Sequence, residues 1–124
     1  MDPDELADAL SSCAALHGVT ALILHGSWAR GDHRSDSDWD VGFLGEPDIG
    51  RLSARLTTIV GTDDVDIVDL GRASALLRFR AAAEGRLIAG DPAEFLRFRL
   101  QATQFWCDAG PVIRAAQESL LAAL

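Results

Sequence analysis

The sequence predicts an α/β (α+β) domain in which helices pack mainly on one face of a small mixed sheet of about three or four strands. Short apolar runs alternate with longer segments whose apolar residues recur at helical spacing, a pattern typical of buried strands and amphipathic helices. Turn sequences containing Gly or Pro separate these segments. Because no repeat or linker divides the 124 residues, we expect a single domain over residues 1–124.

The N-terminal part, about residues 1–70, is predicted to form the core of the domain. Asp2 is suited to cap a first helix with Pro3 at its first position, and Gly18 is suited to end that helix. Short apolar runs indicate the strands. The predicted elements are, in chain order, a helix at 3–17, a strand at 19–24, a short helix at 27–30, a strand at 38–44, a helix at 49–60 and a strand at 65–70.

The C-terminal part, about residues 72–124, is predicted to be mostly helical. Asp91-Pro92 combines a capping residue with a proline at the first helical position, whereas Gly110-Pro111 is expected to break a helix. The predicted elements are a helix at 73–84, a short edge strand at 85–90, a helix from Pro92 to about Asp108 and a last helix that ends at Leu124.

The charge of the chain argues against general nucleic-acid binding. Net charge is −8, and the 11 basic residues are all Arg, so phosphate backbones would be repelled. An acidic surface suits a basic protein partner instead. We expect no membrane span and a cytoplasmic location, because no apolar run is long enough and the N-terminus is acidic. Cys13 and Cys107 are expected to be unpaired thiols.

Two carboxylates occupy alternate positions at the start of the second predicted strand. Side chains alternate faces along a strand, so Asp38 and Asp40 point to the same side, and Trp39 points to the other. Their Cα atoms should lie roughly 7 Å apart, close enough for both carboxylates to bind one or two divalent cations. Two unpaired carboxylates beside a hydrophobic core require such a cation.

A Gly-Ser turn precedes these carboxylates, directly after the first strand. Gly26 allows the backbone to approach a ligand, and Ser27 begins a short helix whose free N–H groups can face an anion. The Ser27 hydroxyl can cap the helix or donate to a phosphate oxygen. An anion-binding turn next to a cation-binding carboxylate pair predicts a site for a metal-bound nucleotide.

The spacing of Gly26-Ser27 and Asp38-Trp39-Asp40 resembles the signature of the polymerase-beta-type nucleotidyltransferase superfamily, and the context Ala29-Arg30-Gly31 extends the resemblance to its minimal nucleotidyltransferase (MNT) branch. The resemblance covers about residues 19–70. It implies a polymerase-beta-like fold, two Mg²⁺ ions held by Asp38 and Asp40, and the triphosphate of ATP held by Gly26 and Ser27, with Arg30 as a further candidate.

The resemblance also implies a third carboxylate on a later strand. Asp66 is the candidate in the third predicted strand, because the carboxylate must lie early on that strand and the family has a similar Val-Asp-Ile-Val run. Asp69 lies on the opposite face of the same strand, and the sequence alone leaves it as an alternative. Asp32 and Asp36 are expected to be turn residues of the loop.

The function that the resemblance implies is transfer of AMP from ATP to a partner protein. Minimal members are antitoxins of HEPN ribonuclease toxins, which they modify on tyrosine, so a hetero-oligomer with a HEPN-type partner is expected. This chain contains no Tyr and should act only in trans. A binding antitoxin without catalysis and a small-molecule nucleotidyltransferase remain alternatives. Four arginines could face the triphosphate or a partner, or could form a solvated helix face: Arg78, Arg80, Arg97 and Arg99.

Overall fold

The computed structural model describes residues 1–123 and confirms the predicted fold class, a four-stranded mixed sheet with helices. The elements are α1 (Pro3–Leu10), a single 3-10 turn (Ala14–Leu16), β1 (Val19–His25), α2 (Gly26–Arg30), β2 (Trp39–Gly45), α3 (Ile49–Val60), β3 (Val65–Asp69), α4 (Ala75–Glu84), β4 (Arg86–Gly90) and α5 (Pro92–Ala122). Apart from α1 and α5, the predicted ends differ from these bounds by at most two residues.

The strand order in the sheet is β3-β2-β1-β4. Strand β1 pairs antiparallel with both β2 and β4, whereas β2 and β3 run parallel. The helix α3 provides the crossover that a parallel pair requires. In the resulting register His25 lies opposite Asp40 on one side of β2, and Asp66 lies opposite Asp40 on the other.

The helices pack on both faces of the sheet, which corrects the expectation that they pack mainly on one. Five successive residues of β1, 21–25, are buried, and a strand without alternating exposure must be covered on both sides. Leu22 and Leu24 pack in a cluster with residues of α1 and α3. Ile23 packs in a second cluster with residues of α4 and α5.

Side-chain caps explain where the longer helices begin. A capping oxygen removes one unpaired N–H from the first turn, which stabilises a helix by about 0.5–2 kcal/mol relative to Ala. The observed caps are Asp2 to the Glu5 N–H (2.9 Å), Asp48 to the Arg51 N–H (3.1 Å), Ser74 to the Leu77 N–H (3.2 Å) and Asp91 to the Ala93 N–H (2.9 Å).

Helix α1 ends earlier than the predicted range 3–17. It stops at Leu10, and only the 3-10 turn Ala14–Leu16 follows before β1. The Ser11 hydroxyl donates to the Asp8 carbonyl at 2.8 Å, which offers the backbone an alternative to continuing the helix.

Helix α5 is longer than predicted, because the expected break at Gly110-Pro111 is wrong. A proline inside a helix removes one N–H donor and leaves the carbonyl four residues earlier unpaired. That residue is Cys107, which is exposed, so water can bind its carbonyl and the helix continues to Ala122. The predicted end at Leu124 lies outside the described residues. Within residues 1–123 no helix is long and apolar enough to cross a membrane.

The space around two glycines, Gly42 in β2 and Gly50 in α3, predicts opposite effects of an alanine substitution on stability. A Cβ on Gly42 would overlap the Leu70 side chain and lie 2.5 Å from its Cγ, so Gly42→Ala should destabilise the protein by about 1–3 kcal/mol. Gly50 is exposed in α3, where an added Cβ would make an ordinary 3.5 Å contact with Asp48. Gly50→Ala should therefore stabilise by up to about 1 kcal/mol. Urea unfolding of both variants measures this, and equal effects would contradict the packing described.

Candidate active site

The Gly-Ser turn joins the end of β1 to the start of α2. Gly26 has φ +69°, a left-handed conformation that disfavours side chains. A Cβ at this position would also overlap Oδ2 of Asp40 and lie 3.0 Å from its Cγ. The turn and the carboxylate of β2 are therefore in direct contact, and only glycine leaves room for that carboxylate.

The structure brings the predicted carboxylates to one edge of the sheet. Asp40 in β2 and Asp66 in β3 are register partners across the parallel pair, and neighbouring strands lie about 4.8 Å apart. Asp38 is exposed and immediately precedes β2. Asp69 is paired further along, with Phe43, and its Oδ1 accepts a hydrogen bond from the Gly71 N–H at 2.9 Å. Asp66 is thus the acid of β3 beside Asp40, whereas Asp69 stabilises the turn after β3.

A stack of three rings holds the loop between α2 and β2. The indole of Trp28 lies between His33, at a centroid distance of 3.6 Å, and Trp39, at 3.9 Å. Its Nε1–H also donates to the Ser37 carbonyl at 3.0 Å. The residue that follows Ser37 is Asp38, so this stack fixes the backbone that presents the first carboxylate.

The charge of Asp40 is unfavourable in this environment. Partial burial is the largest cause that raises the pKa of Asp40, and repulsion from Asp66 and then Asp38 raises it further. Arg30 lowers it in part. A bound cation would relieve this repulsion, which is how a cluster of carboxylates favours a metal ion.

His25 was not identified from the sequence as a site residue. It is buried at the end of β1, opposite Asp40, and its Nε2 has no hydrogen-bond partner among the described residues. Burial is the main effect on the imidazole and lowers the pKa of His25, while Glu84 and Asp66 act in the opposite direction. The ring is therefore neutral at pH 7. The sequence feature that could have identified His25 is its position directly before the Gly-Ser turn.

A cleft of about 190 Å³ opens beside the Gly-Ser turn. Helix α4 forms one wall of this cleft, which the sequence did not indicate. The residues that line it are His25, Gly26, Arg30, Asp40, Leu77, Arg80 and Glu84.

Of the four arginines left open by the sequence, only Arg80 lines this cleft. The guanidinium groups of Arg78 and Arg99 lie over the rings of Phe98 and Phe95, at 5.7 and 5.4 Å from the centroids. Arg97 is paired with Glu94 at 2.6 Å.

Arg30 lies at the cleft but is already engaged by two acids. Its Nη1 is 3.0 Å from Oε2 of Glu84, and its Nε is 3.2 Å from Oδ2 of Asp32. Both contacts raise the pKa of Arg30, and the hydrogen bond to Glu84 has the larger effect. Asp32 is therefore an ion-pair partner as well as a loop residue.

The chemistry of the carboxylates fits a hard divalent cation, since Mg²⁺ prefers oxygen ligands and commonly uses one or two carboxylates together with substrate phosphates. In the part of the chain that the structure describes, no group of three or more His, Cys, Asp or Glu side chains is arranged to hold a metal ion. What is present is the adjacent pair Asp40 and Asp66, with the exposed Asp38 two residues before Asp40.

Comparison with protein families identifies the class of this domain. Residues 9–93 match the family described as polymerase beta, nucleotidyltransferase. The chain therefore belongs to the polymerase beta nucleotidyltransferase family, which confirms the resemblance of its motif. A comparison with curated proteins gave no match.

Solved structures share the fold along most of the chain. A chain of a toxin-antitoxin complex with AMP-PNP is 20% identical, with a TM-score of 0.77 over 98% of this chain and 99% of that one. A chain of a complex between the tri-AMPylated Shewanella oneidensis HEPN toxin and its MNT antitoxin is 20% identical, with a TM-score of 0.64 over 84% of each chain. A chain of the toxin-antitoxin complex MntA-HepT is 18% identical, with a TM-score of 0.67 over 96% of each chain.

The raised pKa of Asp40 predicts a pH-dependent gain of stability on neutralising this residue. A carboxyl whose folded-state pKa is raised stabilises the fold below its ordinary pKa of about 3.9, and this contribution is lost as pH rises through the raised value. Asp40→Asn should therefore raise the melting temperature at neutral pH, by about 1–3 °C because solvent screens a half-buried group. The gain should shrink toward pH 3.

The control is Asp36→Asn, which removes one charge from the exposed loop. Thermal unfolding of the two variants across pH provides the comparison. A gain at neutral pH that is the same for both would mean that net charge, and not the environment of Asp40, is responsible.

Proposed function

We propose that this protein is a Mg²⁺-dependent nucleotidyltransferase that transfers AMP from ATP to a partner protein, a HEPN-type toxin, and thereby acts as its antitoxin. The observation that carries the proposal is the contact between the Gly26 turn and Asp40, with Asp66 beside Asp40 on the neighbouring parallel strand. A phosphate-binding turn and a pair of carboxylates meet there at one edge of the sheet. We expect the protein to act in the cytoplasm, because its proposed substrate, ATP, is available there.

The residues of the site divide into two roles. Gly26 and Ser27 bind the β- and γ-phosphates through backbone N–H groups and the Ser27 hydroxyl. Asp38, Asp40 and Asp66 would hold two Mg²⁺ ions, with Asp38 and Asp40 as the ligands of the nucleotide-bound ion and Asp66 as a ligand of the other ion only. Bound Mg²⁺ supplies neutralisation of the triphosphate and stabilisation of the charge that develops on the leaving group.

Asp66 also has a role in the chemical step. The acceptor hydroxyl oxygen attacks the α-phosphorus, and its proton passes to the Asp66 carboxylate, which acts as a general base. A bond forms between the acceptor oxygen and the α-phosphorus, and the bond from that phosphorus to the bridging oxygen breaks. AMP remains on the acceptor, and pyrophosphate leaves.

The partner is proposed from the structural relatives and from the charge of the chain. One relative is a complex with a tri-AMPylated HEPN toxin, and another contains AMP-PNP. A net charge of −8 favours association with a basic surface, as expected for a toxin that binds RNA. Because this chain has no Tyr, a tyrosine acceptor has to come from the partner, so transfer occurs within a hetero-oligomer.

A second function, a binding antitoxin without catalysis, is favoured by one observation. Among residues 1–123 no three-ligand metal group is preformed. A binding antitoxin requires no nucleotide. Neutralisation of the partner should therefore need Asp66 only if the protein acts by transferring AMP. A small-molecule nucleotidyltransferase is distinguished from both by the acceptor that receives AMP.

Two sets of variants separate nucleotide binding from transfer. Asp38→Asn/Asp40→Asn should abolish Mg²⁺-dependent ATP binding, because both ligands of the nucleotide-bound metal lose their charge. Asp66→Asn should keep ATP and partner bound but slow transfer by at least about 10²-fold, as expected for loss of a general base. Calorimetry measures binding, and labelled ATP measures transfer.

Asp69→Asn is the matched control, since Asp69 lies on the same strand but hydrogen-bonds to its own turn. It should leave both binding and transfer unchanged. Two results would count against the site: ATP affinity that does not change in excess EDTA, or full neutralisation of the partner by Asp66→Asn with no nucleotide attached to it.

A further inference from the structure

The acid that engages Arg30 most closely comes from a distant part of the chain. Arg30 is the last residue of α2, and Glu84 is the last residue of α4. Their ion pair, at 3.0 Å, joins the two helices across the cleft that also contains Gly26 and Asp40. Arg30 is the nearest guanidinium to the Gly-Ser turn in sequence, and it donates to the carboxylates of Asp32 and Glu84.

The two acids that contact Arg30 are not equivalent. Asp32 lies in the loop that follows α2, two residues after Arg30, and its side chain is 63% exposed, so water screens its contact strongly. The Glu84 side chain is 37% exposed and lines the cleft itself. Glu84 is therefore the stronger competitor for Arg30 when a phosphate enters.

A second arginine can accept the carboxylate that Arg30 would release. Arg80 lies four residues before Glu84 on α4, on the same helix face, and lines the same cleft. Among the described residues Arg80 has no ion-pair partner. Because residues four apart on a helix are neighbours, exchange of Glu84 from Arg30 to Arg80 would keep the Glu84 carboxylate paired.

We infer that Glu84 is a positioning residue that holds Arg30 until ATP binds and then releases it to the triphosphate by pairing with Arg80. This inference rests on the proposed function. It makes the affinity of the site for phosphates depend on a competition inside the protein. Glu84 lowers affinity for ATP and keeps the arginine from binding other anions, while Arg30 supplies the charge that neutralises the leaving group.

The test is a double-mutant comparison of ATP affinity in the presence of Mg²⁺, measured by calorimetry. Glu84→Gln should bind ATP about two- to fivefold more tightly than wild type, the range expected for removing one partly exposed ion pair. Arg30→Ala should bind ATP more weakly. In the Arg30→Ala background, Glu84→Gln should give no gain, because no arginine is left to release.

Two controls separate this competition from a general effect of charge or folding. Glu94→Gln removes a carboxylate of similar exposure, 35%, whose partner Arg97 lies away from the cleft, and should leave the affinity unchanged. Adenosine, which has no phosphates, should bind wild type and Glu84→Gln equally. The melting temperatures of the variants show whether each remains folded.

Each outcome has a distinct meaning. Tighter binding by Glu84→Gln only when Arg30 is present supports the inference. An equal gain with and without Arg30 overturns it in favour of simple charge repulsion, and an unchanged or weaker affinity overturns it in favour of a purely structural ion pair. If wild type binds ATP and Glu84→Gln behaves like wild type, only this inference fails. If wild type binds no ATP with Mg²⁺, the proposed function fails with it.

Discussion

The constraint around which the site is built is a pair of carboxylates side by side on parallel strands. Asp40 and Asp66 are register partners, and the repulsion between them is the type of interaction that a fold normally avoids. It is offset by strands β1 and β2, which are buried on both faces and anchor the sheet between two hydrophobic clusters. Gly26 then leaves the space that the Asp40 carboxylate fills. A cation would turn this unfavourable cluster into a binding site.

Acidic and basic side chains both surround the Asp40–Asp66 pair. The chain has 19 acidic residues and 11 arginines, and the cleft beside the Gly-Ser turn contains both kinds in contact. Arg30 is shared between Asp32, in the loop after α2, and Glu84 of α4. A triphosphate that arrives with Mg²⁺ brings both signs of charge, so it can pair with the carboxylates and with the arginine at once. Under the proposed function, this pairing of both signs of charge is how an acidic protein binds a polyanion at this site.

Local signals in the sequence predicted most of the elements and the placement of Asp38 and Asp40 at the start of β2. The helix starts were predictable because caps act within three residues, as at Asp48. The alternation of Asp38, Trp39 and Asp40 was predictable because a strand has a period of two. Features that depend on distant contacts were not. The cleft role of Glu84 depends on where α4 packs, and the covering of both faces depends on tertiary packing. Asp66 was chosen over Asp69 from its early place on the strand and from the family resemblance, and the register of β2 and β3 sets it opposite Asp40. The continuation of α5 through Pro111 depends on solvent access to one carbonyl.

The proposed transfer of AMP to a partner protein is tested most directly by a labelling measurement. The chain is incubated with Mg²⁺ and ATP labelled on the α-phosphate, alone and with a candidate HEPN-type toxin, and labelled peptides are identified by mass spectrometry. We expect no label on the chain alone, which has no Tyr, and AMP on a tyrosine peptide of the partner when both proteins are present. Stable labelling of this chain alone, label only on small molecules, or an unlabelled partner would contradict the transfer of AMP to a partner protein.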